Sequence, residues 1–247
     1  RNCASGMQSI DSAYRNIKHG EANLILAGGA ESMSHAPVLF NHTMVNWLNS
    51  FMRARTAGQR LKVISRLRLS HFKPVIALLY GLSDDTVGLN MGETAENIAN
   101  RFNISRKEMD AFSVSSHQRL AQAMDDGLME EIEVMYDTQG NYYDHDDGLR
   151  RDSSVKKLAK LRPVFDKIFG HITAGNSAQI TDGASWLILA SEDAVEQYKL
   201  PVMATIEDTQ WAGLDPAVMG MGPAHAMAPI LQRHQLGVDD INYWEIN

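Results

Sequence analysis

The chain has 247 residues, a formal net charge of −7, 44% hydrophobic and 21% charged residues, and a single cysteine. That balance is ordinary for a soluble globular enzyme of one large or two small domains. The acidic excess argues against general nucleic-acid binding, and one cysteine excludes an internal disulfide framework and suits a reducing compartment. No signal peptide, bilayer-length apolar run or short-period repeat is legible.

The opening stretch, Arg1-Asn2-Cys3-Ala4-Ser5-Gly6-Met7, holds the cysteine. Met7, Ile10, Ala13, Tyr14 and Ile17 follow at helical spacing, with Gln8, Asp11, Arg15 and Lys18 as the polar positions between them. Gly20 is placed to cap that helix. Leu24 to Gly29 reads as a short buried strand running into glycines. Cys3 therefore sits where the chain enters a helix. Unpaired N–H groups and a partial positive charge there favour a thiolate, and small neighbours leave room for a carbonyl. A nucleophile and an inert core cysteine are both compatible with this spacing.

From Val38 to Ser83 there is no acidic residue. Arg53, Arg55, Arg60, Lys62, Arg66, Arg68 and Lys73 alternate with apolar residues such as Trp47, Phe51, Leu61, Ile64 and Phe72. The pattern predicts basic amphipathic helix, broken near Gly58 and at Pro74. A solvated face, a membrane-surface helix and a subunit interface all fit it. Ser83 to Thr86 is a turn. The Met91 segment leads into a helix with Ala95, Ile98, Ala99 and Phe102 on one face. Ser105 and Glu108 form a capping box that opens a long helix from Arg106 to about Asp125, with Met109, Phe112, Val114, Leu120, Ala121 and Met124 apolar and Gly127 ending it.

Glu130 to Val134 reads as an edge strand, and Asp137 to Asp152 as a polar loop. The cluster Asp144-His145-Asp146-Asp147 has ligand types for a metal, but its spacing matches neither an EF-hand loop nor a zinc helix, and a solvated loop explains it. Arg150 and Arg151 beside it have the planar donor fork that suits phosphate. Asp166 to Gly170 is a turn, and Thr173-Ala174-Gly175-Asn176-Ser177 brings small residues close to a neighbour. Ala184 to Ala190 is a buried segment, helix or strand by pattern. Glu192 to Lys199 is a short helix, Pro201 to Glu207 a strand, Asp215 to Pro223 a loop, Ala224 to His234 a helix, and Ile241 to Glu245 a strand ending at Asn247. The histidines lack metal-ligand spacing.

Several of these stretches together resemble the thiolase family. They are Asn2-Cys3-Ala4-Ser5-Gly6-Met7-Gln8, Ala27-Gly28-Gly29-Ala30-Glu31-Ser32-Met33-Ser34, and Met91-Gly92-Glu93-Thr94-Ala95-Glu96-Asn97. Leu158 to Phe165, Thr173 to Ser177 with Asp182-Gly183-Ala184, Asp215 to Pro223, and Glu245-Ile246-Asn247 complete the series in family order. The resemblance implies an α/β fold, the layered αβαβα thiolase fold, with a largely helical loop-domain insertion. It places residues 1–37 and 166–199 in the N-terminal thiolase domain, 38–165 in the loop domain, and 200–247 at the start of the C-terminal domain. It implies thiolytic cleavage of a 3-oxoacyl-CoA by coenzyme A through a Cys3 thioester, with Asn247 holding a water at the enolate oxygen. Met91, Arg150, Ser177, Ala178, Gln179 and Met219 would line the substrate and CoA sites. The family commonly has serine where Ala178 stands, which leaves Ser177 and Gln179 to replace that bond. Asn90, where biosynthetic members tend to carry histidine, points to degradative, longer-chain use.

Coenzyme A is implied as co-substrate, with no bound cofactor and no metal. The family's Gly-His-Pro and Cys-Gly-Gly-Gly elements, carrying a catalytic histidine and a second cysteine, are not in this sequence. The expectation is therefore an internal piece of a longer protein. Residues 58–68 are most similar to the β subunit of trifunctional fatty-acid oxidation complexes. That similarity implies a homodimer or higher oligomer, docking to a hydratase/dehydrogenase α subunit, peripheral membrane contact through residues 44–82, and no nucleic-acid partner. The expected location is a bacterial cytoplasm, membrane-associated or not, with a mitochondrial matrix as the alternative. A related condensing enzyme, of the ketoacyl synthase or hydroxymethylglutaryl-CoA synthase type, and a non-catalytic scaffold subunit are the competing readings.

Overall fold

The computed structural model describes residues 1–246; the expected catalytic Asn247 lies outside the described residues. A tight 3-10 turn, Asn2–Ala4, feeds directly into helix α1, Ser5–Lys18. Asn2 takes a left-handed φ of 47°, a conformation that asparagine tolerates better than most residues. At the other end Gly20 adopts φ 74° and its N–H bonds Ile17 O, while Glu21 N–H bonds Asn16 O. That is a Schellman-type stop with the predicted glycine in the left-handed position.

Strand β1, Leu24–Ser32, runs three residues beyond the predicted segment and pairs antiparallel with β8, Asp182–Ala190. The register runs from Leu24 opposite Ala190 to Ser32 opposite Asp182. Gly28 is needed for this ribbon: a Cβ there would lie 2.1 Å from Ser185 O and 2.9 Å from Trp186. Helix α1 packs on one face. Ala13, Ala27 and Leu189 form the buried centre, with Ile10, Tyr14, Ile17, Ile25 and Ile206 around them. The other face is open, so Leu26, Trp186 and Ile188 are exposed; Leu187, opposite Ala27 on the α1 side, is exposed as well. The segments expected to be buried, 24–29 as a strand and 184–190 as helix or strand, are buried only at Ala27 and Leu189. The total accessible area is 19340 Å², against about 11,000 Å² for a compact monomer of this mass.

The basic region folds as β2, Val38–Phe40, α2, His42–Arg53, and α3, Ala57–Ile64, followed by a 3-10 turn at Leu69–Phe72. Strand β3, Pro74–Ile76, pairs antiparallel with β2, and α4, Ala77–Gly81, follows. The helix break near Gly58 falls at Ala54 to Thr56. Thr56 caps α3 through a reciprocal box with Gln59, so Gly58 lies within the helix's first turn. Asn41 ties the two ends of this region: it caps Met44 N–H and donates to the carbonyls of Ser70, His71 and Lys73.

A short hairpin, β4 Ser83–Asp84 and β5 Leu89–Asn90, leads into α5, Met91–Phe102. Asn90 is its N-cap, with Glu93 reaching back to Asn90 N–H. Helix α6, Arg106–Asp125, starts at the predicted Ser105–Glu108 box and stops before Gly127 at φ 70°. Of the apolar positions in the sequence pattern, Ala99 and Val114 are buried while Phe102 and Phe112 are exposed; Thr94, Glu96 and Asp110 are buried beside them.

Glu130 to Val134 is not a strand. The extended pair sits later, as β6, Met135–Tyr136, against β7, Tyr142–Tyr143. Helix α7, Val155–Leu158, α8, Glu192–Tyr198, and α9, Gly222–His234, complete the regular elements, with a 3-10 turn at Pro216–Met221 where a loop was expected. The predicted strands Pro201 to Glu207 and Ile241 to Glu245 are not formed: the first is irregular, and the second follows a 3-10 turn at Val238–Asp240 without strand pairing. A strand needs a neighbour to satisfy its ladder, and among the described residues neither segment has one. No helix of the described residues is long and apolar enough to cross a membrane.

Candidate active site

Cys3 is exposed and free, within the turn that opens α1. The N-cap Ala4 offers no side-chain bond, and no acidic residue lies in the first turn. The leading N–H groups of α1 are therefore not capped by side chains, and the helix presents its positive end beside the thiol. The backbones of α1 and β1 meet here: a Cβ on Gly29 would stand 3.5 Å from Gly6 Cα, in ordinary contact, while a Cβ on Gly6 itself would meet nothing within 4 Å. Ser9 Oγ donates to Gly28 O at 2.8 Å and fixes the same approach.

The turn is held from the far end of the chain. Asp11, one of the polar positions of the α1 pattern, is only 4% exposed. Its carboxylate accepts from Thr209 Oγ1 at 2.6 Å, Trp211 Nε1 at 3.2 Å and Arg15 Nε at 3.1 Å. Burial acts to raise this carboxyl pKa, but the hydrogen bonds from Thr209, Arg15 and Trp211 outweigh it and hold it below its ordinary 3.8. The Arg1 guanidinium lies 4.4 Å from the Trp211 ring centroid and donates to Gln8. The i, i+4 pairing of Asp11 with Arg15 was the only sequence signal for this anchor.

The second group of expected site residues lies on the loop after residue 170. Ser177, Ala178 and Gln179 are exposed, but Ser177 Oγ donates to Thr173 O at 2.7 Å and Gln179 Nε2 to Gly148 O at 2.8 Å. The Gln179 bond brings this loop against the one that carries Arg150. Arg150 is exposed and folds back on its own segment, Nη1 donating to Asp147 O at 3.1 Å, while its N–H donates to His117 Nδ1. Arg151 pairs instead with Asp125. Met91 is half-buried at the start of α5, and Met219 is 40% exposed in the Pro216–Met221 turn. These two elements pack together: Asn97 Nδ2 donates to Ala217 O at 3.0 Å, and a Cβ on Gly220 would lie 2.9 Å from Ile98 Cδ1.

Serines and a carboxylate also converge where β1 meets β8. Ser34 N–H and Oγ both donate to Asp182, and His35 Nδ1 lies 3.1 Å from Ser32 Oγ and 3.0 Å from Ser34 Oγ. Because the serine bonds the aspartate directly, this group locks the strand ends and lacks the base-to-nucleophile order of a hydrolytic triad. The Asp144 to Asp147 cluster lines a hollow of about 540 Å³ with Met124, Leu149 and Arg151. Among the described residues, no group of three or more histidine, cysteine, aspartate or glutamate residues is arranged to hold a metal ion.

Two family models match: the thiolase N-terminal domain over residues 1–193 and the thiolase C-terminal domain over residues 200–247. A probable acetyl-CoA acyltransferase of Staphylococcus aureus (strain COL) is 34% identical over 99% of the chain and 58% of its own length. Human mitochondrial 3-ketoacyl-CoA thiolase, solved in complex with CoA, superposes with a TM-score of 0.80 at 34% identity over 97% of this chain and 56% of that one. The acetyl-CoA acetyltransferase of Bacillus anthracis gives a TM-score of 0.82 at 30% identity, again over 97% and 57%. The chain thus spans a little over half the length of the relatives it matches. Two adjoining domain models and superposition along nearly the whole chain give one conclusion: this chain belongs to the thiolase family and has its α/β fold.

Proposed function

We propose that the protein carrying this chain transfers an acyl group between thiols, cleaving a 3-oxoacyl-CoA with coenzyme A to release acetyl-CoA and a shortened acyl-CoA. The observation that carries this reading is the exposed Cys3 in a tight turn at the start of α1, whose leading N–H groups no side chain caps. Cys3 Sγ as thiolate attacks the 3-keto carbon. The C2–C3 bond breaks, its electron pair leaves with the acetyl-CoA enolate, and the acyl group stays on Sγ as a thioester. Protonation of the enolate completes acetyl-CoA. The thiolate of free CoA then attacks the Cys3 thioester and restores the Cys3 thiolate. Main-chain N–H groups at the start of α1 stabilise the oxyanion of each addition. Met91 and Met219 line the acyl side, and Arg150, Ser177, Ala178 and Gln179 the CoA side. The CoA complex of the human relative supports CoA as co-substrate. Replacing Cys3 by serine lowers thiolysis at least about a thousandfold with the melting curve unchanged; normal turnover in that variant would end the assignment.

The region 38–82 supports a second element of the proposal, peripheral contact with an anionic membrane. Met52, Leu61, Leu69 and Phe72 are 57–91% exposed beside exposed Arg53, Arg60, Arg66 and Arg68. Apolar side chains interleaved with cations on one region fit an anionic bilayer surface. Flotation with anionic vesicles at low salt tests it, and binding only to vesicles carrying a hydratase/dehydrogenase α subunit would assign the same surface to that subunit. No flotation in either case removes this element and leaves the chemistry at Cys3 untouched.

A further inference from the structure

Two buried carboxylates that the proposed chemistry does not use act on one loop. Glu96 on α5 is 7% exposed, and the main-chain N–H of His171 donates to both of its oxygens at 2.8 and 3.0 Å. The N–H of Ile172 donates to the same carboxylate at 2.8 Å. Gly170 closes over it: a Cβ there would stand 2.7 Å from Glu96 Oε1 and 2.2 Å from Asp166 O. His171 Nδ1 lies 3.5 Å from Glu96 Oε2, buried and without a hydrogen bond. From α6, Asp110, 1% exposed, accepts from Asn176 Nδ2 at 3.1 Å. Asn176 in turn accepts from Thr173 N–H at 2.7 Å and donates to His171 O at 3.0 Å. The loop is thereby fixed at both ends, while Ala174, Ser177 and Ala178 face outward.

A carboxylate sunk among main-chain donors is costly to keep unless it is fully bonded, and an apolar side chain in its place leaves two N–H groups unpaired. Its position determines where the outward residues stand. We propose that Glu96 is the positioning residue of the acyl-CoA-binding loop: by holding the N–H groups of His171 and Ile172 it sets the height of Ala174, Ser177 and Ala178 against the thioester's arm. This rests on the reading that the loop contacts the CoA thioester.

The test measures binding of a non-reactive thioether analogue of a 3-oxoacyl-CoA, and the maximal rate of Cys3 acylation at saturating 3-oxoacyl-CoA, in the protein carrying this chain. Glu96→Ala weakens analogue binding about tenfold, Glu96→Gln, which keeps one acceptor oxygen, about threefold, and both leave the maximal acylation rate within about twofold. Unchanged binding in a folded Glu96→Ala variant overturns the proposal, as does an equal loss of binding and maximal rate, which marks a general structural role. If Glu96→Ala does not fold, Glu96→Gln decides alone, and wild-type binding in it overturns the proposal. Ala178→Trp separates the underlying reading. Binding lost there but kept in both Glu96 variants refutes only the positioning role. Binding kept in Ala178→Trp refutes loop contact with the thioester itself.

Discussion

Replacing Asp11 by alanine removes the link between the Cys3 helix and the segment around Thr209 and Trp211. Four donors lose their acceptor: Thr209 Oγ1, Trp211 Nε1, Arg15 Nε and, by the longer 3.3 Å bond, Gln8 Nε2. Arg15 is 58% exposed, so its ion pair is worth about 0–1 kcal/mol after solvent screening. The Thr209 and Trp211 bonds are charge-assisted and part-buried, at about 1.5 kcal/mol each. The sum is about 3 kcal/mol, which lowers the melting midpoint of a chain this size by about 9 °C. The folded-state pKa of Asp11 is depressed, so its stabilisation is complete above the ordinary 3.8 and is lost as pH falls below it. Calorimetric melts of wild type and variant, taken at neutral pH and in steps through the acid range, therefore show a gap that narrows below 3.8. Equal midpoints at neutral pH, or a gap that widens on acidification, would refute the reasoning.

Other substitutions probe separate links. Gly28→Ala forces a Cβ into Ser185 O and spreads the β1–β8 ribbon, at about 1–3 kcal/mol in denaturant melts; an unchanged midpoint would mean the ribbon has slack there. Asn90→Ala removes the α5 cap and costs about 1 kcal/mol, read as faster amide exchange in the first turn of α5. Asp110→Ala strands Arg106, whose Nε lies 2.8 Å from it, and frees Asn176, so stability falls by about 3 kcal/mol in the same melts.

The helical part of this fold was legible because its signals are local. Gly20, the Ser105–Glu108 box and Gly127 stop and start helices through bonds spanning a few residues, and each stands where the pattern places it. Strands depend on distant partners. The segment 184–190 was ambiguous until its pairing with 24–32, some 150 residues away, fixed it as β8. Glu130 to Val134, Pro201 to Glu207 and Ile241 to Glu245 carry strand composition but have no pairing neighbour among the described residues, and they stay irregular. The proposed site residues at Cys3 and at 173–179 rest on short motifs. The burial of Asp11, Glu96 and Asp110 was missed because all three stand at polar helix positions, Glu96 within the Met91–Asn97 motif; their partners at 209–211, 171–172 and 176 reveal it. Asn90, noted only as a departure from a family pattern, has a sufficient local reason as the cap of α5.

The central claim is that Cys3 carries the acyl group. Intact mass of the protein carrying this chain, recorded after brief exposure to a 3-oxoacyl-CoA and before free CoA is added, tests it most directly. The account predicts a mass gain equal to the shortened acyl group, located on the peptide that holds Cys3 and discharged by free CoA. A folded protein with no adduct, or an adduct elsewhere than Cys3, would contradict it.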